Sequence, residues 1–153
     1  MGEIGRPALE GGRLVFTIDT PQQSRIEAVS LAQGSRHLLR QSRRGAALFN
    51  PSVLGDRLLY ERVDACAQKL LLGTLHSSHR DRVLVDLPST VRRDPGYQPG
   101  YENAWNAASN CPNRRRGRGG TRQLGPTALS GTLAYMTETL PSPARARIRT
   151  VRR

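Results

Sequence analysis

Gly55-Asp56-Arg57-Leu58-Leu59-Tyr60-Glu61-Arg62-Val63 reads as a tight turn running into a β-strand. Glycine supplies the turn conformation, and the run that follows is rich in Leu, Tyr and Val. Leu58 and Tyr60 are two residues apart, so on a strand they share one face. Gly11-Gly12-Arg13-Leu14-Val15-Phe16-Thr17-Ile18-Asp19 has the same form, and so has Ser130-Gly131-Thr132-Leu133-Ala134-Tyr135-Met136-Thr137-Glu138. In this alignment Leu14, Leu58 and Leu133 coincide, as do Phe16, Tyr60 and Tyr135. These six residues are expected to form the buried core of a repeat.

The flanks repeat as well. Ala47 to Leu54 precedes the second copy and Leu124 to Leu129 the third. A second strand is expected after each copy, at Arg25–Leu31, Gln68–Leu75 and Ala144–Val151. Pro21 and Pro141-Ser142-Pro143 mark two of the connections. A third strand is expected around Ser35–Arg40 and Arg82–Leu87. Leu14 and Leu58 are 44 residues apart, whereas Leu58 and Leu133 are 75 apart. Roughly 40–50 residues suits one four-stranded blade. The excess in the second interval falls on a Pro-, Gly-, Asn- and Arg-rich stretch without periodicity. The expected organisation is an extension at 1–10, a first blade-like unit at 11–54 and a second at 55–90. An irregular insertion at 91–123 follows. The last part, 124–153, is expected to hold the last strand of the second unit and part of a third.

Pro51-Ser52, then two residues, then Gly55-Asp56-Arg57 with Leu58 and Tyr60 resembles the β-propeller repeats of the Tol-B-like, WD-related type. In that family a Pro-Asp-Gly turn joins the last strand of one blade to the first of the next. The copies at 11–20 and 130–139 are similar but lack the turn aspartate. The resemblance covers 11–87 and 124–151. It implies an all-β fold of antiparallel propeller-like blades with binding or scaffolding as its role, and it brings no catalytic residues. Two and a half units do not close a ring, which takes about 4–8 blades. An incomplete propeller, an assembly-dependent piece or an open twisted sheet is therefore expected.

The net charge is unevenly distributed along the chain. The chain carries 24 basic and 12 acidic residues, for a net charge of +12. Residues 1–90 hold 12 basic and 9 acidic side chains, residues 91–153 hold 12 and 3, so the excess belongs to the second part. All basic residues but Lys69 are arginine, as GC-rich coding produces. Arg114, Arg115, Arg116 and Arg118 form the densest basic run, with Tyr97, Tyr101 and Trp105 upstream. Guanidinium groups bind phosphates and rings stack on bases, so this run is the candidate polyanion site. Its partner would be nucleic acid bound without sequence preference. Arg145, Arg147 and Arg149 alternate with Ala146 and Ile148, which suits a charged strand face that blocks edge pairing.

No catalytic, cofactor or metal site is expected. His76 and His79 are spaced to share a metal, but Cys66, Asp81 and Asp86 complete no recognised ligand pattern. Cys111 has no histidine in its half of the chain to act as a base, and no nucleotide-binding or hydrolase motif occurs. Cys66 and Cys111 fit no disulfide framework. No apolar run is long enough to span a membrane, and Met1–Gly12 lacks the pattern of a secretory signal. The expected role is a non-catalytic scaffold whose partner is a protein or further blades. The alternatives are an Arg-rich nucleic-acid binder, or the accessory propeller of an enzyme whose catalytic domain lies elsewhere.

Overall fold

The computed structural model describes residues 3–20, 22–42, 46–64, 67–76, 81–88, 123–131, 133–141 and 144–152. Among these residues there is no helix; they form three antiparallel sheets in chain order. The first holds β1 (Glu3–Ile4), β2 (Ala8–Glu10), β3 (Arg13–Asp19), β4 (Ser24–Ser30) and β5 (Arg36–Gln41). β1 and β2 pair in succession with β3, at Ile4 opposite Ile18 and Ala8 opposite Val15, so they act as one strand with a break. The second sheet is the meander β6 (Ala46–Leu54), β7 (Arg57–Asp64), β8 (Ala67–Thr74) and β9 (Arg82–Pro88). The third is β10 (Gln123–Ser130), β11 (Leu133–Pro141) and β12 (Ala144–Arg152).

Each sheet opens with a hairpin closed by a two-residue turn, between Glu10 and Arg13, Leu54 and Arg57, and Ser130 and Leu133. Gly11, Gly55 and Gly131 take the first turn position with φ of 56°, 58° and 48°, a conformation that side chains with a Cβ resist. The first strand of each sheet is interrupted near a proline: Pro7 between β1 and β2, Pro51 in the irregularity between Phe49 and Ser52, and Pro126 in that between Leu124 and Thr127. Proline has no N–H for the ladder and is tolerated where pairing already breaks. Asn50, beside Pro51, has φ 47°, which bends β6 at this point.

The turn at Gly55-Asp56 therefore lies inside a hairpin. Ala46–Leu54 pairs with β7 and opens the second sheet, although the sequence reading groups it with the first unit. Gln123–Ser130 likewise pairs with β11 and opens the third sheet, rather than completing the second unit. The second sheet is completed by β9. Periodicity alone does not show on which side of a turn a unit begins.

The turns also correct the alignment of the third copy. Counted from the turn, Leu14 and Leu58 are equivalent to Ala134, and Phe16 and Tyr60 to Met136. Leu133 and Tyr135 stand at the register positions of Arg57 and Leu59, one residue away from the expected match. A slip of one residue exchanges the two faces of a strand.

The middle sheet is packed on both faces. Val15, Ile26, Ala28 and Leu39 of the first sheet meet Leu48, Leu58, Tyr60 and Leu71 of the second. Leu59, Leu70 and Val85, on the opposite face of the second sheet, meet Ala134 and Leu129 of the third. Leu58 and Leu59 are adjacent, point opposite ways, and are both completely buried. Burying a leucine side chain contributes roughly 1.5–3 kcal/mol, so β7 stabilises two interfaces at once.

Candidate functional site

Buried polar groups mark both seams between sheets. At the first seam, Arg40 near the end of β5 reaches across to Asp81, which precedes β9. Arg40 Nε donates to Asp81 Oδ2 at 2.6 Å and Nη2 to Asp81 Oδ1 at 2.7 Å, a bidentate pair. Nη1 donates to the Leu39 carbonyl at 2.7 Å and Nη2 also to the Thr74 carbonyl at 2.9 Å. The Tyr60 hydroxyl donates to Asp81 Oδ2, and the guanidinium carbon lies 5.9 Å from the centre of the Tyr60 ring. The Arg40 and Asp81 side chains are 6% and 10% exposed. Desolvation opposes the charge on Arg40, but the Asp81 carboxylate outweighs it and holds the guanidinium pKa above its ordinary value. Burial first, and then Asp81, pushes the Tyr60 hydroxyl up.

Gly73 in β8 makes room for this pair. A Cβ there would stand 1.9 Å from Asp81 Oδ1 and 2.4 Å from Arg40 Nη2. A cleft of about 520 Å³ opens beside the cluster, lined by Leu38, Leu48, Leu71, Gln41 and Arg62 as well as the three clustered residues. Its size suits a small ligand. Every guanidinium nitrogen of Arg40 and both carboxylate oxygens of Asp81 are engaged with protein partners. The arrangement fastens one sheet to the next.

At the second seam, the break in β6 supplies the contacts. Thr127 Oγ1 donates to the Asn50 carbonyl at 2.7 Å, and the Leu129 amide donates to Ser52 Oγ at 3.2 Å. Asn50 Nδ2 donates to Glu61 Oε1 at 3.1 Å. Glu61 is 3% exposed. Burial pushes its carboxyl up to about 7, against the smaller opposing effect of the Asn50 hydrogen bond.

The residues singled out by sequence are distributed as follows. Leu58, Tyr60 and Phe16 are buried and Leu14 is half-buried. The side chains of Leu133 and Tyr135 lie outside the described residues, as do Arg114, Arg115, Arg116 and Arg118, the upstream Tyr97, Tyr101 and Trp105, His79, Cys66 and Cys111. His76 is exposed, with Nε2 3.1 Å from Asp56 Oδ1. Asp81 belongs to the seam and Asp86 lies 3.5 Å from Lys69 Nζ. Among the described residues no group of three potential ligands is placed to hold a metal ion. No described helix is long and apolar enough to cross a membrane. Arg40 and Glu61 went unmarked in the sequence. The available signals were Gly73 within the strand Leu70-Leu71-Leu72-Gly73-Thr74, where glycine allows a close approach, and the acid in the apolar run Leu58–Val63. No family model, curated protein or solved structure matches the chain.

Proposed function

We propose that this chain is a non-catalytic repeat scaffold of the β-propeller-like kind, which presents surfaces for binding instead of a reaction centre. One observation carries the reading. Three successive antiparallel meanders begin with the same two-residue turn, and they stack so that the face bearing Leu58 looks to the preceding sheet and the face bearing Leu59 to the following one. A repeat of this kind buries its faces against its neighbours. The buried charges of the first seam support the reading, since they are consumed in joining sheets.

The rival reading is an Arg-rich nucleic-acid binder built on Arg114, Arg115, Arg116 and Arg118. Fluorescence anisotropy with two labelled duplexes of unrelated sequence separates the two. The scaffold reading expects weak binding, equal for both duplexes, that falls by about two orders of magnitude between 50 and 200 mM salt, as counterion release requires for about four neutralised phosphates. Replacing the four arginines by serine abolishes it and leaves the unfolding midpoint unchanged. A preference for one duplex that persists at 200 mM salt overturns the scaffold reading.

A further inference from the structure

We infer that the cleft at the first seam binds a small organic acid, with Arg62 holding the carboxylate and the leucines of the seam meeting its apolar body. The inference rests on the binding-scaffold reading above and names a ligand class for it.

Two arginines line this cleft, and their hydrogen bonding differs. Arg40 has every guanidinium nitrogen engaged, and its charge is matched by Asp81. Arg62 lies in β7 between Leu48 of β6 and Lys69 of β8, on the strand face that carries Leu58 and Tyr60. Its Nε is buried without a hydrogen-bond partner. Its Nη2 stands 3.8 Å from Asp64 Oδ2, beyond hydrogen-bond range, and the side chain is 41% exposed. Lys69, beside it on the same face, is paired with Asp86. Among the described residues Arg62 is thus the cleft's cation with unspent donors. A guanidinium in this condition meets a carboxylate through parallel hydrogen bonds, here from its two terminal nitrogens.

The rest of the lining decides what the carboxylate is attached to. Leu39, Leu48 and Leu71 belong to the packed core between the sheets and also line the cleft. They offer an alkyl or aryl group a dry wall that a bare inorganic anion does not use. Ser42 Oγ accepts from the Ser24 amide at 2.9 Å, which leaves the Ser42 hydroxyl proton to donate to a ligand oxygen. Asp81 is the carboxylate in the lining, and it is locked to Arg40 and Tyr60. The cleft therefore pairs one available positive charge with an apolar wall. Pockets of its size enclose most of a small ligand.

The test is calorimetric titration of the full-length protein with hexanoate, hexanamide, acetate and inorganic phosphate at constant ionic strength, with hydrogen exchange on the same sample. Hexanoate is expected to saturate a single site. Hexanamide and acetate should each bind about tenfold or more weakly, the first for want of the ion pair and the second for want of the apolar contact. Arg62→Gln should weaken hexanoate about tenfold or more, and Arg62→Lys should restore part of the loss. Replacing Arg114, Arg115, Arg116 and Arg118 by serine should leave hexanoate binding unchanged. Loss of binding in that variant assigns the anion to the arginine run and overturns the inference. Phosphate bound as tightly as hexanoate shows that charge alone is read, and the organic acid falls. The comparison of hexanoate with hexanamide uses the wild-type protein, so equal affinities overturn the inference whatever Arg62→Gln does to folding. No saturable binding, together with slow exchange in β7 and β8, overturns it and leaves the scaffold reading standing. Rapid exchange throughout β3 to β8 overturns both.

Discussion

Arg40 and Asp81 stand 41 residues apart in the chain and meet through two parallel hydrogen bonds of 2.6 and 2.7 Å across the seam between the first and second sheets. Removing one member of such a buried pair leaves the other charge without its partner. Asp81→Asn should cost about 3–5 kcal/mol in urea unfolding. Adding Arg40→Met to Asp81→Asn should recover part of that loss, because the unpaired charge is then gone. A double variant as unstable as the sum of the two single ones would show that the pair does not act as a unit.

Gly73 offers a test of the same seam from beneath. The nearest atoms to an added Cβ belong to Asp81 and Arg40. Gly73→Ala should destabilise the protein by about 1–3 kcal/mol, the usual range for overpacking. In an Asp81→Ala background the closest obstacle is absent, so the added cost of the alanine should shrink. An equal cost in both backgrounds, read from unfolding midpoints, would trace the effect to the backbone of β8 instead.

Leu58→Ala removes a fully buried side chain from the first core, which also contains Val15, Ile26 and Leu71. The expected loss is about 2–5 kcal/mol in chemical unfolding. A loss near zero would mean that the first and second sheets do not share a packed core.

Glu61 makes stability depend on pH. Its carboxyl titrates near 4.5 in the ordinary state and at about 7 when buried in the fold. Between these values the folded chain holds a proton that the unfolded chain has released, so stability falls as pH rises through this window and levels off above it. Glu61→Gln should flatten that part of the profile and make the variant the more stable of the two at pH 8. Thermal unfolding from pH 4.5 to 8 checks this, and parallel profiles for the two proteins would assign the dependence to other groups.

The strand and turn pattern was legible because it is local. Gly55-Asp56 with Leu58 and Tyr60 marks a turn, the strand after it and that strand's buried face within nine residues of sequence. The phase of the third copy was not legible in the same way. Thr132-Leu133-Ala134-Tyr135 offers large residues at the wrong parity, and only the pairing of Ser130 with Leu133 reveals that Ala134 takes the place of Leu58. A small residue at a core position leaves no hydrophobic signal. The seams were hidden for another reason. Arg40 and Asp81 look like ordinary surface charges in sequence, and their burial depends on two sheets closing over them from distant parts of the chain. Glu61 reads as the polar residue of an alternating strand, although β7 is covered on both faces.

The prolines at the breaks in the first strands bear on how the protein avoids aggregation. Within each sheet the first strand lies at one edge, and an edge offers free amides and carbonyls to any extended chain nearby. Pro7, Pro51 and Pro126 remove a donor and a regular register from all three of these edges. An incoming strand can bond on one side of each break or the other, but not continuously through it. The opposite edge strands carry exposed charge instead, with Arg36 on β5 and Arg82 and Asp86 on β9. The described sheets, each with two edges, can in this way stay clear of fibrils without closing into a barrel.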